Sequence, residues 1–195
     1  MNETTPLLTR HKLTVDAYYR MTEVGILAWG ERVELIDGEI IDMPAIGTGH
    51  ASVVSRINRA LVRACGDQAI VSVQNPVRLD EYNEPQPDFA VLRPRADFYA
   101  AQHPGPADVL LLVEVADTSL RYDRAVKLPI YALAGIPEYW IVNLRDRVIR
   151  SYRSPSGNRF KKEHAHAANE TLQLAAAVGI AVQVGDLLGE PPPDA

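Results

Sequence analysis

The sequence predicts an α/β fold, a mixed sheet flanked by helices. Three observations carry that expectation. Val109–Ala116 reads Val-Leu-Leu-Leu-Val-Glu-Val-Ala, an apolar run suited to a central strand buried on both faces. Two segments, His50–Cys65 and part of Ser119–Ala134, read as helices on either side of it. Asp37-Gly38 between alternating apolar flanks marks a two-residue β-hairpin.

The elements follow in order. Thr14 is placed to cap a short helix with Val15, Tyr18, Tyr19 and Thr22 on its apolar face. The hairpin pairs Ile36 with Glu39 and Glu34 with Ile41, so those four side chains share a face. In His50–Cys65, Val53, Val54, Ile57, Leu61 and Cys65 fall at helical spacing, and Gly66 ends the helix. Ile70–Val73, Val77–Leu79 and Gln86–Leu92 read as strands. Gly135 stops the second main helix. Glu138–Asn143 and Val148–Tyr152 are strands around a polar turn, with weaker strands near Thr171–Leu174 and Ala181–Val184. No repeat or linker divides the chain. One domain is expected over 12–188, between a loose N-terminal stretch (1–11) and a Pro-rich tail (189–195).

The 195 residues are 47% hydrophobic and 23% charged, which excludes a disordered, collagen-like or coiled-coil chain. Lys and Arg number 20 against 25 Asp and Glu, a net charge of -5. That excludes binding nucleic acid by bulk positive charge, although a local basic groove stays open. The single cysteine, Cys65, cannot form an intrachain disulfide and fits a reducing cytoplasm. No run approaches the roughly 20 apolar residues of a membrane span, and Met1–Arg10 has no apolar signal core. The expectation is a cytoplasmic protein without membrane association.

Glu114 is the most informative residue, because a carboxylate in a buried strand is costly unless paired, hydrogen-bonded or bound to metal. The plain alternative is a structural ion pair or a strand end that reaches solvent. Asp88 opens Asp-Phe-Ala-Val-Leu92; if this strand neighbours Val109–Ala116, two carboxylates converge. Two hard oxygen ligands with open positions suit magnesium. Lys127 follows in the next helix, where it could stabilise charge on a phosphoryl group or lie on a solvated face. His50, after Ile46-Gly-Thr-Gly49, is either a phosphate contact at a helix start or a capping histidine. Arg121 and Arg124 form the best basic cluster, for phosphates or simply a helix face. Tyr131, Tyr139 and Trp140 read as core rather than as a base-stacking platform. His164 and His166 could chelate a metal, but their polar setting favours a plain surface reading.

Several pieces in fixed order resemble a known family. They are Glu34-Leu-Ile-Asp-Gly-Glu39, His50, Gln86-Pro-Asp-Phe-Ala-Val91, Leu112-Val-Glu-Val115, Tyr122-Asp-Arg-Ala-Val-Lys127 and Tyr131-Ala-Leu-Ala-Gly-Ile-Pro-Glu-Tyr-Trp-Ile-Val142. Together, over residues 12–188, they resemble the bacterial putative restriction endonuclease family of the PD-(D/E)XK nuclease superfamily. The resemblance implies a restriction-endonuclease-like mixed sheet with an added N-terminal helix and β-hairpin. It implies a magnesium-dependent phosphodiesterase site, with manganese able to substitute. Asp88 matches the first metal-binding acid and Glu114 the second. The usual lysine two residues on is Ala116 here; Lys127, from the following helix, fits that role. Glu34 matches an additional upstream acid, with Glu39 as competitor on the same hairpin face. Pro129 follows Lys127 closely and disfavours helical geometry at Leu128.

The leading expectation is therefore a metal-dependent endonuclease acting on DNA as a homodimer. Its competitors are a catalytically weak or inactive nuclease-like module that binds nucleic acid or a protein, and a different hydrolase on the same scaffold.

Overall fold

Thr14 caps the first helix as expected: its Oγ1 accepts from the Ala17 amide at 3.1 Å, and helix α1 runs Val15–Glu23. The structure, a computed structural model, describes residues 9–177 and 179–190. Residues 1–8 of the expected loose stretch and 191–195 of the Pro-rich tail lie outside the described residues.

Strands β1 (Val33–Ile36) and β2 (Glu39–Asp42) form the expected hairpin, with Glu34 opposite Ile41 and Ile36 opposite Glu39. Asp37 (φ 51°) and Gly38 (φ 75°) supply the two left-handed residues such a turn requires. Gly38 is also pressed against the chain before α1, where an added Cβ would lie 2.6 Å from Lys12 Cβ. Helix α2 (Thr48–Cys65) starts two residues earlier than the apolar spacing indicates and ends at Gly66.

Six strands make the main sheet in chain order: β3 (Ile70–Val73), β4 (Phe89–Leu92), β5 (Val109–Ala116), β6 (Glu138–Asn143), β7 (Val148–Ser156) and β8 (Arg159–His166). Only β5 and β6 run parallel. Parallel neighbours need a crossover. It is supplied by α3 (Leu120–Tyr122), a π-helical segment (Asp123–Lys127) and α4 (Leu128–Leu133). A small ribbon, β9 (Thr171–Gln173) with β10 (Ala181–Gln183), leads into α5 (Val184–Leu188).

The alternation of β5 sorts two cores. Leu111, Val113 and Val115 pack under α2 and α5 with Ile57, Leu61 and Leu187. Leu112 and Ala116 face the other side, with Tyr131, Ile136, Tyr139 and Ile141. Glu114 lies between Leu112 and Ala116 in this alternation, so it points toward the crossover helix.

Three expectations need correction. Val77 and Leu79 are buried, but Val77–Leu79 is not a strand: their amides bond Pro85 O and Asn83 O within their own loop. The strand expected over Gln86–Leu92 starts only at Phe89, because Pro85 and Pro87 have no N–H to give a ladder. The strand at Val148 extends to Ser156 and continues into β8, whose polar edge gave no apolar alternation to read. Among the described residues no helix is long and apolar enough to cross a membrane.

Candidate active site

Phe89 pairs with Val113 and Ala90 with Leu112, so the next step along the two antiparallel strands sets Asp88 beside Glu114. Asp88 Oδ2 accepts from the Val115 amide at 2.8 Å, which ties its carboxylate to the Glu114 strand. Oδ2 also meets His50 Nε2 at 3.1 Å, and Oδ1 accepts from Gln74 Nε2 at 3.0 Å. Burial pushes the Asp88 carboxyl up, but the His50 hydrogen bond and charge, with the Val115 and Gln74 donors, outweigh it. The net result lies below the usual carboxylate range. Asp88 is therefore a charged, oriented carboxylate.

Glu114 is held differently. Its Oε1 accepts from Lys127 Nζ and from the Tyr131 hydroxyl, each at 2.9 Å. Its Oε2 has no protein donor among the described residues, and Glu114 lines the cleft. Burial raises the carboxyl to about 8; Lys127 opposes this, and Asp123, Asp88 and Glu34 add to it. Lys127 also meets Glu34 Oε2 at 3.0 Å. Burial works against the ammonium, but Glu114 and Glu34 hold it firmly charged, with its pKa raised. Glu34 Oε2 accepts in addition from the Gln86 amide at 3.1 Å, so the hairpin is locked to the segment entering β4. Asp123 accepts from Ser119 Oγ at 2.7 Å, and burial raises its carboxyl to about 6.

Glu34, His50, Asp88, Glu114, Asp123 and Lys127 line one cleft of about 340 Å³ between the hairpin, the start of α2 and the crossover helix. Six carboxylates (Glu34, Asp42, Asp88, Glu114, Asp117, Asp123) face it against Arg32, Lys127 and His50. Acid in such excess repels itself unless protons or a cation enter.

A family model described as Uma2, putative restriction endonuclease, matches residues 15–185. The chain belongs to the Uma2 family. A crystal structure of a putative nuclease belonging to DUF820, from Anabaena variabilis, resembles the Uma2 chain with a TM-score of 0.70. The match is 13% identical and covers 90% of this chain and 97% of that one. At that identity it shows the fold, the restriction-endonuclease-like arrangement that the sequence resemblance implies. No curated protein matches the Uma2 chain.

The Uma2 cleft gathers Glu34, His50, Asp88, Glu114 and Lys127. Arg121 and Arg124 are exposed and stand outside its lining, while Glu39 is exposed and pairs with Arg10. Tyr131 is core, as its aromatic setting indicates, and also a donor to Glu114. Sequence reasoning missed Gln74, Asp117 and Asp123. Asp123 had one signal: it stands four residues before Lys127, within the same helical segment.

Proposed function

We propose that this Uma2 chain is a divalent-metal-dependent endonuclease hydrolysing DNA phosphodiester bonds. The family description and the fold support the reaction class. The observation that carries the metal is the Glu114 carboxylate: Oε1 is saturated by Lys127 and Tyr131, while Oε2 lacks a donor in a cleft rich in acid. The residues fit the ion, because magnesium takes one or two carboxylates and fills its remaining positions with water and substrate phosphate. Asp88 and Glu114 would hold magnesium, or manganese in its place. The bound ion supplies Lewis-acid polarisation of a phosphate oxygen and a lowered pKa for water.

The chain's own residues do the rest. His50, Gln74 and the Val115 amide fix the Asp88 carboxylate in one orientation. Lys127 keeps its proton and sets a positive charge where negative charge develops on the phosphoryl oxygens. Glu34 and Tyr131 hold the Lys127–Glu114 pair in place from either side. His50 also lines the cleft, where it could meet a phosphate. Arg121 and Arg124 are available for the DNA backbone beyond the cleft. A two-fold dimer would supply the second site needed to cut both strands. DNA as substrate and one buried, unpaired Cys65 fit a cytoplasmic protein.

The test is cleavage of supercoiled, linear, single-stranded and branched DNA with magnesium or manganese. Metal-dependent cleavage that Glu114→Gln abolishes is the expected result. DNA binding without cleavage under every condition favours the inactive module instead. Light scattering shows whether the active species is a dimer.

A further inference from the structure

Far along the sheet from the cleft, the outermost strand carries a second group of metal-type side chains. His164 and His166 alternate on β8, so both imidazoles stand on one face of the edge strand. Glu170 follows in the turn that leads to β9. Its Oε1 accepts from the Ala167 amide at 3.2 Å, which leaves Oε2 turned toward both rings. His166 Nδ1 lies 3.1 Å from Oε2, and His164 Nε2 lies 3.4 Å from the same oxygen. The three donor atoms fall within 4.8 Å of one another.

We propose that His164, His166 and Glu170 form a cation site for a borderline transition-metal ion such as Zn2+, separate from the acidic cleft. Three features favour this over a simple hydrogen-bonded turn. First, a carboxylate oxygen shared by two imidazole nitrogens is poorly used by hydrogen bonds alone, since 3.4 Å is beyond a good N–H···O contact. Second, the two nitrogen-to-Oε2 distances of 3.1 and 3.4 Å suit a tetrahedral ion, whose Zn–N and Zn–O bonds near 2.0–2.2 Å place neighbouring ligand atoms roughly 3.4 Å apart. Third, His166 has a built outer partner. The buried Ser151 Oγ lies 2.8 Å from Nε2, where it can accept Nε2–H once a cation takes the place of the proton at Nδ1. Two imidazoles and one carboxylate select zinc, nickel or cobalt over magnesium. The fourth position is left for water.

The site would act structurally. It clips the exposed edge strand β8 to the turn after it, and so protects an edge open to pairing with other chains.

The experiment uses the full, untagged chain stripped with a chelator and kept in millimolar Mg2+ to occupy the cleft. Zn2+ is titrated by calorimetry, and Co2+ by its visible absorption. One equivalent, a tetrahedral Co2+ spectrum and a raised melting temperature are expected. His164→Ala and Glu170→Gln should each weaken binding by roughly tenfold or more. His164 is exposed and Glu170 half-buried, so circular dichroism should confirm that both variants fold. Glu114→Gln should keep the equivalent, which separates this site from the proposed nuclease centre. No stoichiometric binding at micromolar Zn2+, or unchanged affinity in either variant, overturns the proposal.

Discussion

The Lys127 ammonium stands 2.9 Å from Glu114 Oε1 and reaches it from a π-helical turn. The Leu128 amide closes that turn on Asp123 O, five residues back. Pro129, in the first turn of α4, has no N–H to lose there. The proline expected to disturb Lys127 therefore follows directly on the wide turn that buries it. Inserted π turns are frequent at functional sites, because they re-aim side chains without ending a helix.

Lys127→Ala should destabilise the metal-free protein by about 3–5 kcal/mol at pH 9, since it leaves Glu114 and Glu34 buried without a cation. Glu114→Gln should cost far less, because Lys127 keeps Glu34 at 3.0 Å. Urea unfolding of the two variants checks this. Equal losses would mean that Glu34 does not share the lysine.

Magnesium should stabilise the wild-type chain against heat. At a hundred times its dissociation constant, a ligand bound only by the native state adds about 2.7 kcal/mol, or roughly 5–10 °C for a domain this size. Asp88→Asn and Glu114→Gln should each remove most of that shift. A shift retained in both places the ion elsewhere.

How far the sequence reaches depends on whether a feature is local. The hairpin register was legible because Asp37-Gly38 admits one pairing. Glu114 was legible because it breaks an apolar run, and β5 because such a run fits only a buried strand. Gln74 was not, since it reaches Asp88 only through the pairing of β3 with β4. β8 was hidden because Arg159–Glu163 is largely exposed at a sheet edge and shows no apolar period. Val77–Leu79 misled for the opposite reason: Val77 and Leu79 are buried on either side of an exposed Arg78, as in a strand, but their amides bond their own loop.

His50→Ala should lower magnesium affinity or cleavage roughly 10–100-fold, as expected for a partner that orients a metal-binding carboxylate. His50→Gln, which can still donate to Asp88, should recover part of the loss. Stability should change little. His50 Nδ1 is buried without a partner among the described residues, so the ring carries a cost of its own. Calorimetry and thermal melts separate the two effects. Full activity in His50→Ala would leave Asp88 oriented by Gln74 and the Val115 amide alone.

The acid excess also fixes the sign of the pH dependence. Glu114 rises from 4.5 to about 8 in the folded chain, and Asp123 from 3.8 to about 6. Between those limits the native state holds protons that the unfolded chain has released. Stability then falls as pH rises, most steeply for Asp123 up to about 6 and for Glu114 up to about 8. His50, with its pKa raised by the Asp88 hydrogen bond, adds a loss of the same sign as pH passes its folded value. Asp88 works oppositely, since its lowered pKa contributes stability that is lost only in acid. Melting temperatures in chelator should therefore decline from about pH 5 to pH 8. Glu114→Gln should flatten the upper part of that decline. Saturating magnesium should do the same in the wild-type chain, because a bound cation replaces the proton as the partner of Glu114. A wild-type melting curve that is level from pH 5 to 8 in chelator would show that these carboxyls share no buried charge.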